Sequence, residues 1–128
     1  MLDIDTIMDM LDWGNPEEVQ QEGRRQAQNI RCINAFIQPM NRRQGKNVWE
    51  NCALILCEKS DIELRPYLVQ LLEWLQDLNW PGALYIFNRV RSYSEEECFS
   101  SALDYSIRVA KLLNDEVWLN TLQDIRRR

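Results

Sequence analysis

Residues 71–84 read Leu71-Leu72-Glu73-Trp74-Leu75-Gln76-Asp77-Leu78-Asn79-Trp80-Pro81-Gly82-Ala83-Leu84, and they decide the fold class. A leucine-rich helix runs into Asp-Leu-Asn, and Trp80-Pro81 opens the next one. Asn79 has the side chain of an N-cap, and Pro81 falls in the first helical turn, where its missing N–H costs nothing. The spacing predicts two helices joined across an almost absent turn, an antiparallel pair. Nothing in this stretch is catalytic on its face.

Upstream, Ser60-Asp61-Ile62-Glu63 is a capping box in which Ser60 and Glu63 satisfy two orphan donors reciprocally. The helix behind it sets Leu64, Leu68, Leu71, Leu75 and Leu78 on one stripe, widened by Tyr67, Leu72 and Trp74. Pro66 is tolerable near the first turn. Further back, a first helix is expected over about 4–11 (Ile4, Ile7, Met8, Leu11). A second, from Asn15-Pro16 to about residue 30, buries Val19, Gly23, Ala27 and Ile30. Gly23 in mid-helix costs about 1 kcal/mol against alanine, so a close helix approach is expected there. Residues 31–46 are irregular, and Asn41-Arg42-Arg43-Gln44-Gly45-Lys46 reads as an exposed basic loop. A third helix is expected from Asn47 to about Lys59, burying Val48, Cys52 and Ile55 with Trp49 and Leu56 flanking.

Downstream, the fifth helix (about 80–92) turns Ala83, Leu84, Phe87 and Val90 inward, with Ile86 at the edge. Ser94-Glu95-Glu96-Glu97 repeats the capping-box logic and opens a sixth helix to about Leu113, with Phe99, Ala102, Ser106, Val109, Ala110 and Leu113 as its stripe. Asn114-Asp115-Glu116 caps a seventh carrying Trp118, Leu122 and Ile125. No strand candidate survives. The expected fold is all-α: one domain over residues 1–128, with about seven helices in antiparallel pairs.

Three junctions look alike: Leu11-Asp12-Trp13-Gly14, Leu78-Asn79-Trp80-Pro81 and Leu113-Asn114-Asp115 lie 67 and 35 residues apart, close to two units and one unit of a helical-hairpin repeat. Stacked hairpins are therefore favoured over the alternative, a closed helix bundle.

Composition narrows function. Of 128 residues, 45% are apolar and 27% charged, with only four glycines and four prolines, which suits one globular helical domain. The longest apolar run is six residues, Cys52 to Cys57, too short to span a bilayer. The N-terminus starts acidic and lacks the pattern of a cleavable signal, so a cytoplasmic location is expected. Cys32, Cys52, Cys57 and Cys98 show no Cys-x-x-Cys spacing and no histidine accompanies them, which argues against zinc and for reduced, buried thiols. The net charge is −5, and residues 51–100 hold eight acids against four bases. That balance disfavours nucleic acid and suits a basic protein partner through steering, beside the plainer reading of a solvated helical surface. The terminal Arg126-Arg127-Arg128 complements a helix dipole.

Two readings stand at the Asp77–Pro81 turn. Structurally, Asp77 and Asn79 bond backbone groups at the helix ends while Trp80 packs between helices. Functionally, the same groups meet a partner, with Trp74 and Trp80 as anchors of the kind interfaces favour. Glu73 and Asp77 share a helix face but lack the further convergent groups that acid–base catalysis needs, and the Tyr85, Arg89 and Arg91 strip reads as surface. Glu95-Glu96-Glu97 reads as a helix start.

The segment from Tyr67-Leu68 through Leu-Leu-Glu-Trp-Leu-Gln-Asp-Leu-Asn-Trp-Pro-Gly-Ala resembles a small bacterial family of HEAT-like domains of unknown function, whose members share a helix ending in Trp-Leu-x-Asp-x-Asn-Trp-Pro. The resemblance covers about residues 60–90, is architectural over 94–128, and does not extend to 1–47. Some members lie beside polymorphic toxin genes and look like immunity proteins. The resemblance implies a non-enzymatic protein-binding domain, an immunity protein that occludes a basic toxin cleft. A helical-repeat adaptor with no toxin partner is the alternative. Candidate partner-binding residues are Glu63, Glu73, Trp74, Asp77, Asn79 and Trp80; no cofactor, metal or membrane contact is expected.

Overall fold

The computed structural model of the chain describes residues 2–39 and 45–126. Among them are seven helices and no strand. They are α1 (Ile4–Met10), α2 (Glu17–Ala27), α3 (Trp49–Cys57), a composite α4, α5 (Ala83–Arg91), α6 (Glu96–Leu112) and α7 (Glu116–Arg126). Helix α4 alternates α and 3-10 turns: Asp61–Leu64, Arg65–Tyr67, Leu68–Glu73 and Trp74–Gln76. Two further 3-10 turns, Ile33–Phe36 and Lys46–Val48, lead into α3. Asn41 to Gln44 of the expected basic loop lie outside the described residues, as do Arg127 and Arg128.

Sequential and alternate helices both pack together, and α4 touches α5, α6 and α7. Helix α3 packs on α5, α4 on α6, and α5 on α7, while α1 packs on α2 and α6 on α7. The leucine stripe of α4 faces the core: Leu64, Leu68, Leu71, Leu72, Trp74 and Leu75 are all buried. The close approach expected at Gly23 is present, since a Cβ there would lie 2.9 Å from Met10 Cβ and 3.1 Å from Leu11 Cδ2. No helix among the described residues is long and apolar enough to cross a membrane.

The helix ends hold the surprises. Ser60 and Glu63 form the expected capping box. Asn114 takes a left-handed φ of 56°, and Asn114 N and Asp115 N bond Lys111 O and Ala110 O at 3.1 and 2.9 Å. This is a Schellman stop for α6, and Asp115 then caps α7 by accepting from Trp118 N at 3.0 Å. Other caps differ from expectation. Asn15 turns back to the end of α1, donating to Asp9 O at 2.8 Å, and Pro16 stands at the N-cap of α2. Ser94 does not close a capping box; its hydroxyl donates to Asp61 Oδ2 at 2.7 Å, and Glu95 stands at the N-cap of α6.

Nor is the 77–82 corner almost absent. Gly82 has φ 82° and ψ −12°, and Ala83 N donates to Trp80 O at 3.1 Å. Pro81-Gly82 thus occupies the centre of a type II turn, whose third position needs positive φ, rather than the first turn of a helix. Asn79 is accordingly not the cap of α5. Starting the helix at Ala83 rotates its stripe: Ala83, Ile86 and Val90 are buried and Leu84 is 60% exposed. Leu113 is likewise exposed because α6 ends one residue before it, and Leu103 takes a buried place instead. Trp49 and Leu56, expected to flank the α3 stripe, are buried within it.

Candidate protein-contact face

Beside the leucine stripe of α4, one residue out of step, run Glu63, Pro66, Gln70, Glu73 and Asp77, spaced three, four, three and four apart. That spacing keeps them on one side of a helix, and the 3-10 turns offset the slow drift of a straight α-helix against a seven-residue repeat. Glu63 and Glu73 therefore share an edge whose neighbouring face is locked into the core, while Asp77 lies just past the last turn in extended backbone. Their roles differ.

Glu63 is exposed and works locally: Oε1 accepts from Ser60 N and Oγ, both at 3.0 Å, and the Ser60 N–H chiefly holds its carboxyl below the ordinary range. Asp77 Oδ1 accepts from Asn79 N at 2.8 Å and so shapes the corner. Glu73 is half-buried, and burial raises its carboxyl above the ordinary value. No hydrogen bond or ion pair among the described residues reaches that carboxylate. Only its backbone oxygen is engaged, accepting from Gln76 Nε2 at 2.9 Å.

The tryptophans divide. Trp74 is fully buried, and its Nε1 donates to Pro81 O at 3.0 Å, so it locks the corner to α4 and offers no surface to a partner. Trp49 stands edge-on to Trp74 at 6.0 Å between ring centroids and to Trp80 at 5.5 Å. Trp80 is half-buried, and Lys46 Nζ lies 5.8 Å from its ring centre and 5.7 Å from that of Trp49. At Gly82 a Cβ would sit 2.6 Å from Ala53 Cβ and 2.9 Å from Trp49 O. The corner is therefore pressed onto α3, with Asn79 and part of Trp80 facing outward.

Two polar clusters went unread in the sequence. Asn51, 4% exposed, donates to Leu11 O at 2.7 Å and Gln20 Oε1 at 2.9 Å, and accepts from Arg24 Nη1. Arg24 also pairs with Glu17 at 3.1 Å. The available signal was an asparagine inside the apolar stripe of α3, faced by Gln20 and Arg24 one turn apart on α2. The second cluster centres on Asp61. Its Oδ1 pairs with Arg89 Nη2 at 2.6 Å, and its Oδ2 accepts from Ser94 Oγ and N at 2.7 and 3.0 Å. Partial burial pushes that carboxyl up, but the bonds from Ser94 and Arg89 outweigh it and leave it below the ordinary value. Arg89 also donates to Lys59 O at 2.8 Å, so it is a tie between helices rather than free surface.

The thiols are free and unequal. Cys52 is buried, and desolvation pushes it up to about 12; Cys57 is raised by burial too. Cys32 is exposed, and Cys57 and Cys98 are half-buried, so the expectation of four buried thiols holds at Cys52 alone.

No curated protein and no solved structure matches the chain. The family described as a domain of unknown function (DUF5071) matches residues 50–125, from the start of α3 to the last turn of α7, leaving α1 and α2 outside. With more than half its length inside that match, from the tryptophan corner through both helices of the C-terminal hairpin, this all-α chain belongs to the DUF5071 family.

Proposed function

We propose that this protein is a non-enzymatic protein-binding domain, an immunity protein whose α4 edge covers the basic active-site cleft of a bacterial toxin. The observation that carries the reading is Glu73: a half-buried carboxylate with no counter-charge among the described residues. A carboxylate partly removed from water loses hydration without compensation, and a lysine or arginine from a partner restores it. Glu63 on the same edge and Asp77 at the corner beyond it extend the negative field, steering a basic surface toward α4. The buried leucine stripe holds the edge stiff, so little ordering cost accompanies contact.

The test is inhibition. The genes flanking this one are sequenced, and any toxin domain they encode is assayed alone and with one equivalent of the protein. Wild type should suppress turnover, and Glu73→Lys should lose most of that suppression while keeping its helical circular dichroism. A toxin that stays fully active beside the wild-type protein, or that Glu73→Lys silences equally well, overturns the reading.

A further inference from the structure

Between α4 and α6 runs an open groove of about 590 Å³ whose walls include Arg65, Val69, Gln70, Glu97, Cys98 and Ala102. Its floor is apolar: Ala102 is 8% exposed, Leu68 is 3% exposed, and Val69 and Cys98 are half-buried. Its charge is one-sided. Arg65, the basic residue in the walls, is held bidentate by Glu95, with bonds of 2.5 and 3.1 Å to the same Oε2. Glu97 on the α6 wall is exposed, and no ion pair among the described residues engages it. Along the α4 wall, Pro66 and Gln70 belong to the same edge as Glu63 and Glu73, one turn beyond at either end. The groove therefore presents an apolar trough with Glu97 on one wall, Glu73 one turn beyond the other, and the cation of its walls, Arg65, already paired.

We infer that this groove receives an amphipathic segment of the partner protein, with apolar side chains seated on Val69 and Ala102 and lysine or arginine flanking them toward Glu97 and Glu73. The inference rests on the protein-binding reading above and specifies where on that face the partner lies. An acidic or uncharged segment would leave the rim carboxylates facing like charge or nothing, which disfavours it. The parallel with a helix laid in a hydrophobic groove is physical: apolar anchors supply contact area and the rim charges supply register.

Cys98 in the wall reports occupancy directly. The protein is treated with iodoacetamide, and the labelling rates of Cys98 and the exposed Cys32 are followed by mass spectrometry of peptides. The additions are a synthetic leucine/lysine helical peptide or a leucine/glutamate peptide of equal length. The basic peptide should slow labelling of Cys98 about tenfold at roughly ten times its Kd, leaving Cys32 unchanged. Ser101→Arg, at an exposed position on the groove wall, should abolish that protection without loss of helicity. Equal protection by both peptides, protection of Cys32 alongside Cys98, or full protection in Ser101→Arg overturns the inference. Loss of toxin inhibition in Glu73→Lys with no protection of Cys98 would keep the immunity reading and reject this groove.

Discussion

Asn51 and Asp61 each tie separate parts of the chain together, and they do it with opposite chemistry. Asn51 joins α1 and α2 to α3 through a neutral amide buried almost completely, every bond of which ends on a backbone carbonyl or a side chain carried by α2. Asp61 joins the start of α4 to the end of α5 through an ion pair, and both side chains keep some contact with water, 14% for Arg89 and 24% for Asp61. A buried junction cannot carry an isolated charge without a large desolvation cost, whereas a rim junction can. The difference also falls along the family boundary: Asp61 and its partners lie inside residues 50–125, while Asn51 attaches helices that the family match leaves out.

Breaking the buried junction should have the largest effect. Asn51→Leu strands Leu11 O and Gln20 Oε1 in the interior. It should cost about 3 kcal/mol in urea unfolding, with hydrogen exchange rising first in α1 and α2. Equal loosening of α6 and α7 would show that the N-terminal helices are not a separable layer. Next, Gly82→Ala tests whether the tryptophan corner is as fixed as either junction. A positive φ and a Cβ driven onto Ala53 should cost roughly 2 kcal/mol and alter the near-ultraviolet signal of the packed indoles.

The rim junction should give less, and its effect should depend on pH. Asp61→Asn is expected to lower stability by about 1 kcal/mol at neutral pH. Because the folded state holds the Asp61 carboxyl below its unfolded value, its contribution is complete above the unfolded pKa and disappears as pH falls through the folded one. The gap between wild type and variant should therefore begin to narrow only below about pH 4 and keep closing as the pH falls further, and a gap of constant size down to acid unfolding would contradict the ionic account. Smallest of all, Glu95→Gln breaks an exposed pair with Arg65 and should leave the melting temperature unchanged within error.

The residues show why some features were legible and others were not. The leucine stripe of α4, the Ser60–Glu63 box and the Asp115 cap each need only neighbours within four residues, and such local patterns survive folding intact. The Pro81-Gly82 turn was also local, yet the proline was credited to a helix start when the glycine beside it was the stronger sign. Leu113 falls at such a boundary, as the cap beyond the last turn of α6, while Leu84 sits about a third of a turn from Ala83, outside the buried line of Ala83, Ile86 and Val90. Of the six site candidates, Glu63 and Asp77 proved to serve local turns and Trp74 the core, while Glu73, Asn79 and Trp80 keep a free side.

Periodicity and capping in the chain by themselves determined an all-α fold, the order of the helices and the placement of the central one. Which polar groups would meet across helices was settled only by the tertiary structure. Asn51 finds Leu11 forty residues earlier and Asp61 finds Ser94 thirty-three residues later. Helical hydrogen bonding acts over four residues and leaves its mark in spacing, whereas packing selects a partner that spacing does not name: a polar residue in an apolar stripe signals that one is needed, not which.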